Sequence, residues 1–300
     1  MRYKTVSGLT LPQVGIGTYM GKCCDVNTPY GEPSLDENRD RNYRDALQLA
    51  ISLGAKHLDT SEIYGSGHSE KLIGEALFEL RSEDFRDLFV STKVGCGNLN
   101  YADVLSSCRS SLDRLGVEDV DLYSIHRPNK DVPIGETIRA MDELVDSEII
   151  SYLGIGNANL DLIKQANELS RHGISAVQIQ YNFIPRDLCG QDQRVKVESE
   201  ILPYCQENGI LVIAHNPFDR EFELMNPANL ELLEQIADKH DASKAQVAIS
   251  WLLSKANVVS IFESTNLDDI RENVAAADLE LDDDEYALID QISGINHLGK

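Results

Sequence analysis

Eight short apolar runs, each followed by a stretch of helical period, recur along this 300-residue chain. No other feature of the sequence narrows the fold as far. The runs cover 13–17 (QVGIG), 56–59 (KHLD), 88–94 (LFVSTKV), 120–125 (VDLYSI), 150–155 (ISYLGI), 176–180 (AVQIQ), 210–214 (ILVIA) and 257–261 (NVVSI). Short runs of this kind read as strands covered on both faces, as parallel strands are. Between them, Ala46, Leu49, Ala50 and Leu53 within 42–53 keep the 3.6-residue spacing of a helix with one apolar face. Leu72, Ile73, Ala76, Leu77 and Leu80 within 69–80 do the same. Gly54, Gly116, Gly173 and Gly209 each fall between a helix and the next strand, where a left-handed residue is least strained as glycine.

Eight strand–helix units without a composition break or linker predict an α/β fold, one closed (β/α)8 TIM barrel over 1–300 as a single domain. An N-terminal β-hairpin precedes it (RYKTVSGLTLPQ, turning at Ser7 and Gly8), and extra helices follow at the C-terminal end. Asp282, ahead of the acids Asp283, Asp284 and Glu285, reads as a helix start and not as a metal site. The competing architecture is an open doubly wound sheet, which expects a G-x-G-x-x-G turn after an early strand. Four G-x-G pairs occur (Gly15/Gly17, Gly65/Gly67, Gly95/Gly97, Gly154/Gly156), and none completes that fingerprint. In the barrel, the polar segment 20–40 (MGKCCDVNTPYGEPSLDENRD) becomes a long loop after the first barrel strand, on the catalytic rim.

Charge excludes whole classes of partner. Fifty acidic residues against 27 basic ones give a net charge of −23, which disfavours nucleic acid and anionic membrane surfaces. The continuous apolar stretches fall far short of the roughly 20 residues of a spanning helix. The opening MRYKTVSGLTLPQVG lacks the apolar centre of an export signal. Six cysteines (Cys23, Cys24, Cys96, Cys108, Cys189 and Cys205) form no C-x-x-C pair, so reduced thiols in the cytoplasm are expected.

Side chains at the carboxyl ends of barrel strands converge over one mouth. Those ends carry Asp59 and Glu62, Lys93, His126, Asn157, Gln178, and His215 with Asn216. Taken singly, a polar residue at a strand end is most often a rim or capping residue. Lys93 is different, because a cation inside an apolar strand needs a carboxylate beside it, and Asp59 is the natural partner. Tyr64 follows Asp59 by five residues. An ammonium near a phenol favours the phenolate, so Lys93 is expected to lower the pKa of Tyr64 from its ordinary value of about 10. Asp, Tyr, Lys and His at one mouth can protonate an oxyanion without a metal, as carbonyl reduction requires. No H-x-H or H-E-x-x-H spacing points to a metal hydrolase.

In order along the chain, LDTSEIYG (58–65), STKVG (91–95), DLYSIHRP (121–128), LGIGNAN (153–159), VQIQYN (177–182), IAHNPF (213–218) and FESTNLDDIREN (262–273) resemble the successive motifs of the aldo-keto reductase superfamily. The resemblance implies an NAD(P)-dependent oxidoreductase with Tyr64 as general acid/base, Lys93 and Asp59 tuning it, and His126 orienting a carbonyl substrate. It puts Asn157 and Gln178 on the nicotinamide carboxamide, with His215 and Asn216 beside the ring where the family usually stacks a larger aromatic. Gly156 replaces a frequent serine. At the adenosine end it places Glu263, Ser264, Thr265, Asp269, Arg271, Glu272 and Asn273. Many relatives carry a lysine and an arginine at the positions of Glu263 and Asp269, so a preference for NAD(H) over NADP(H) is expected. Tyr19 and Cys96 would line the substrate pocket, with Cys23, Cys24 and Tyr30 approaching it; the Cys23–Cys24 pair reads as ordinary loop thiols. Many members of the superfamily close a longer terminal loop over the substrate, so with the tail GINHLGK an open site is expected. Two other functions fit parts of the pattern: a cofactor-binding regulatory subunit with negligible turnover, and a Schiff-base lyase using Lys93.

Overall fold

The computed structural model describes residues 1–19, 36–80, 87–182, 197–218 and 227–292. Eight parallel strands close on themselves: β3 (Val14–Gly17), β4 (His57–Asp59), β5 (Phe89–Val94), β6 (Val120–Ile125), β7 (Ile150–Gly156), β8 (Ala176–Gln180), β9 (Leu211–His215) and β10 (Val258–Phe262), with β10 returning to pair with β3. Each observed strand lies within a residue or so of its predicted run. The helices α1 (Glu37–Ser52), α2 (His68–Glu79), α3 (Tyr101–Leu115), α4 (Ile134–Asp146), α5 (Leu160–Leu169) and α6 (Leu202–Glu207) pack outside the sheet. They are followed by α7 (Pro227–Lys239), α8 (Lys244–Ser254), α9 (Leu267–Ala275) and α10 (Asp283–Ile292). The main core lies between sheet and helices, where Leu47, Leu72, Ile73, Val94, Ile125, Ile155, Val212 and Trp251 meet.

A second, smaller core fills the barrel itself. Leu9 and Leu11 come from a hairpin of β1 (Tyr3–Val6) and β2 (Leu9–Pro12). They pack on Phe89, Leu122, Leu211, Ile213, Val259 and Ile261. Each such leucine contributes about 1.5–3 kcal/mol. Lys4 fastens the hairpin by donating to the carbonyls of Leu253 and Val258, at 2.7 Å each, and of Lys255. The hairpin therefore plugs the amino-terminal end of the barrel, and the opposite end is left for chemistry.

Local signals behaved as their physics dictates, with small departures. The hairpin turns at Ser7 and Gly8, both at positive φ, as a two-residue turn requires. Gly54, Gly116, Gly173 and Gly209 are all at positive φ. Gly173 lies in the turn beyond α5, which ends at Leu169, and is not its immediate stop. Helix α1 starts at Glu37, five residues before the predicted span, because the Asp36 carboxylate accepts from the amides of Asn38 and Arg39. Asp282 and Glu285 cap α10 reciprocally. Residues 20–35 of the predicted long loop, with Cys23, Cys24 and Tyr30, lie outside the described residues, as does the tail 294–300. No described helix is long and apolar enough to cross a membrane.

Candidate active site

The pleat of β4 and β5 turns Asp59 and Lys93 into the barrel near its open end. Lys93 Nζ donates to Asp59 Oδ1 at 2.6 Å and to the Thr60 carbonyl at 2.7 Å, and both side chains are sealed from water. Burial alone would protonate Asp59, but the Lys93 ammonium, His57 and the Ser91 hydroxyl outweigh it and hold the carboxyl below its ordinary range. For Lys93 burial prevails and lowers its pKa, against the pull of Asp59. The lowered pKa meets one requirement of the Schiff-base reading, against which stands an amine engaged by two acceptors and 1% exposed, badly placed to attack a carbonyl carbon.

Tyr64 stands on a tight turn after β4, where Gly65, Ser66 and Gly67 are all left-handed. Gly67 is needed there: at φ 88° a Cβ would also meet the Arg114 side chain at 2.5 Å. The Tyr64 ring is ringed by three predicted neighbours. Lys93 Nζ lies 5.0 Å from its centroid, the His126 ring meets it edge-on at 5.3 Å, and the Tyr19 ring at 5.2 Å. One expectation fails here. The Tyr64 phenol is pushed well above 10, by burial first and then by the charges of Asp59 and Glu263. The ammonium that was to lower it is already spent on Asp59 and the Thr60 carbonyl, so its field at the phenol is cancelled. Tyr64 is thus a firmly protonated donor.

His126 accompanies it as a neutral imidazole, its pKa lowered to about 3 by burial and by the Lys93 charge. Its Nδ1 is 2.8 Å from Ser61 Oγ, which leaves Nε2 as the nitrogen available to a substrate. Asn157 and Asn216, each just past a strand, adopt positive φ, which asparagine tolerates better than most residues. Asn157 Nδ2 donates to the His126 carbonyl at 3.0 Å, and its Oδ1 is 3.4 Å from His215 Nε2. Burial lowers the His215 pKa to about 4. Gln178 Nε2 donates to Asp59 Oδ2 at 2.8 Å, and its Oε1 has no partner among the described residues. A Cβ at Gly156 would lie 2.8 Å from the His126 carbonyl, so serine there would require β6 to move.

The remaining predicted residues divide. Ser264 and Asp269 are joined by a 3.1 Å hydrogen bond at the start of α9, with Glu263, Thr265, Arg271 and Glu272 exposed nearby and Asn273 buried. Cys96 is half-exposed, and its carbonyl accepts from Asn129 Nδ2 at 3.1 Å. Glu62 faces a loop instead, accepting from the Gly95 amide and from Asn98. Among the described residues no three His, Cys, Asp or Glu side chains gather as metal ligands. Three residues the sequence reading did not single out belong to this constellation: Ser61, Ser91 and His57. His57 and Ser91 stand two residues before Asp59 and Lys93 on the same strands, so the two-residue alternation of a strand could have found them.

Comparison with known proteins agrees with this geometry. Residues 28–294 match the model of the aldo/keto reductase family. The chain is 29% identical to methylglyoxal reductase YeaE of Escherichia coli (strain K12), over 94% of this chain and 91% of that protein. The solved structure of a thermostable aldo-keto reductase, Tm1743, in complex with the inhibitor epalrestat superposes with a TM-score of 0.83 at 34% identity, covering 97% of this chain and all of that one. The aldo-keto reductase AKR2E5 of the silkworm Bombyx mori, solved with NADPH, superposes at 0.77 with 25% identity, over 97% of this chain and 87% of that one.

Proposed function

The chain belongs to the aldo/keto reductase family, and we propose that its barrel mouth interconverts a small carbonyl compound and its alcohol with Tyr64 as proton donor and acceptor. The observation that carries this reading is the meeting of three side chains around the Tyr64 ring: Lys93 Nζ 5.0 Å and the His126 ring 5.3 Å from its centroid, and Asp59 2.6 Å behind Lys93. With the Ser61 hydroxyl donating to Nδ1, the proton of His126 sits on Nε2, and a substrate oxygen in front of Tyr64 would receive the phenol proton and a hydrogen bond from that Nε2–H. As charge grows on that oxygen, the hydrogen bonds that Tyr64 and His126 make to it strengthen. The raised pKa of Tyr64 keeps the proton in place until then.

The residues present suit a nicotinamide, which when bound supplies or accepts the hydride. Gln178 Oε1, free of partners among the described residues, is complementary to a carboxamide N–H, and Asn157, held by the His126 carbonyl and beside the His215 ring, has a second amide N–H and a second lone pair on Oδ1 to offer. At the adenosine end we favour NAD(H) over NADP(H), although the silkworm relative was solved with NADPH. Glu263 and Asp269 would face a 2′-phosphate with like charge, whereas Asp269 and Ser264 can accept from and donate to a free ribose hydroxyl. The likeness to a methylglyoxal reductase supports small aldehydes as substrates. The scattered thiols support the cytoplasm as its compartment.

The test is oxidation or reduction of both cofactors across a panel of aldehydes, ketones, sugars and secondary alcohols, with Tyr64→Phe in parallel. Turnover that survives Tyr64→Phe overturns the acid assignment. Nicotinamide binding with no turnover of any substrate supports a regulatory subunit instead.

A further inference from the structure

Two polar side chains lie beneath the Asp59–Lys93 pair, and the reaction above does not use them. Ser91 is the register partner of Asp59 across β4 and β5. Its Oγ is 2.8 Å from Asp59 Oδ2 and 2.9 Å from His57 Nε2, and His57 is wholly buried. The space for that imidazole exists because residue 15 is glycine: a Cβ there would sit 2.9 Å from His57 Nδ1.

Proton accounting fixes the direction of this chain. Asp59 faces an ammonium at Oδ1 and the Gln178 amide at Oδ2, so it only accepts. The single Ser91 hydroxyl proton therefore goes to Oδ2. Ser91 Oγ must then accept from His57, which requires the imidazole proton on Nε2. His57 Nδ1 is left unprotonated, buried and without a partner among the described residues, a penalty that a purely packing residue would not incur.

We propose that His57 and Ser91 are positioning residues that act through Asp59, the ordered donors Nε2–H and Oγ–H holding its carboxylate turned so that Oδ1 faces Lys93. The arrangement rests on the reading of Tyr64 and Lys93 given above. It assigns to the barrel interior the task of keeping the Lys93 ammonium fixed behind the phenol. The charged and titratable groups around Asp59 are Lys93, His57, Tyr64, His126 and His215.

The experiment pairs Ser91→Ala with the conservative Ser91→Thr. Ser91→Ala should lower kcat about tenfold with KM little changed, the loss expected for one hydrogen bond to a charged group. The acid limb of its pH–rate profile should move up by about one unit, since Asp59 loses a donor. Ser91→Thr should restore both. A lowered Tm with an unshifted profile and full kcat would reduce the pair to packing and overturn the proposal. Two NMR readouts need no turnover, so they remain decisive even if the reading of Tyr64 fails. Nitrogen NMR of the wild-type protein should show His57 neutral with its proton on Nε2 between pH 5 and about 8, and a proton on Nδ1 overturns the assignment. Carbon NMR should show the Asp59 carboxyl titrating higher in Ser91→Ala, and an unchanged titration overturns it equally.

Discussion

The Lys93 ammonium and the Asp59 carboxylate stand 2.6 Å apart on neighbouring strands, with 1% and 3% of their side chains exposed. Such a pair gains little over an apolar one of the same shape, but half of it is expensive to keep. Lys93→Met and Asp59→Leu should each destabilise the fold by about 3–5 kcal/mol in urea titrations, and the double variant by much less than their sum. Additive losses would mean that the two charges do not depend on each other.

Tyr64→Phe removes one oxygen and leaves the ring contacts with Tyr19, His126 and Lys93. Turnover should fall about 100-fold or more, the usual worth of a general acid. The cofactor dissociation constant, followed by fluorescence quenching, should stay within about twofold, because no predicted cofactor contact involves the phenol.

The fate of Ser61 separates orientation of His126 from mere proximity. Ser61→Ala removes the partner of Nδ1, 2.8 Å away, and leaves the ring free to flip or to move its proton. We expect kcat to fall about five- to tenfold, the value of one hydrogen bond, with a Tm close to wild type. Unchanged kcat would show that packing against Tyr64 alone holds the imidazole.

The tetrad was legible in the sequence because each member ends or follows a strand whose apolar pattern is unambiguous. Lys93 was the clearest case, since a cation in LFVSTKV has to find an anion. The pKa of Tyr64 was not legible. It depends on burial, on where the Lys93 charge is spent and on the charges of Asp59 and Glu263, none of which a spacing records. Ser61, Ser91 and His57 escaped notice for a related reason. A serine or histidine in a strand or just past it reads as packing until its partner at another strand is known. The early start of α1 depended on a single cap, Asp36, inside a polar run with several eligible residues.

Acid should undo this barrel sooner than its surface charge implies. Burial holds His57 at about 4, His126 at about 3 and His215 at about 4, against about 6.5 in an unfolded chain. Between those values the unfolded chain binds protons that the folded one refuses, so stability rises with pH and is lost as pH falls through that window. His57 alone should account for about 2 kcal/mol between pH 7 and 5. Urea midpoints measured at both pH values should differ accordingly, and less in His57→Leu. Equal differences in the two proteins would rule out the buried imidazole as the cause.

The proposed cofactor preference rests on two exposed acids, Glu263 just past β10 and Asp269 in the first turn of α9. At about 4 Å, a carboxylate and a 2′-phosphate repel by roughly 1 kcal/mol in water and up to about 4 near a protein surface. Glu263 and Asp269 together should therefore hold NADP(H) binding at least about tenfold weaker than NAD(H). Glu263→Lys combined with Asp269→Arg replaces repulsion by attraction and should reverse that ratio. Asp269 is also the acceptor for Ser264, so Asp269→Asn serves as a control that keeps an acceptor at that hydroxyl while removing charge. Kd values for both cofactors in the wild type and the two variants, at low and high salt, give the answer. A selectivity indifferent to charge and salt would mean that other residues of the adenosine end choose between the two.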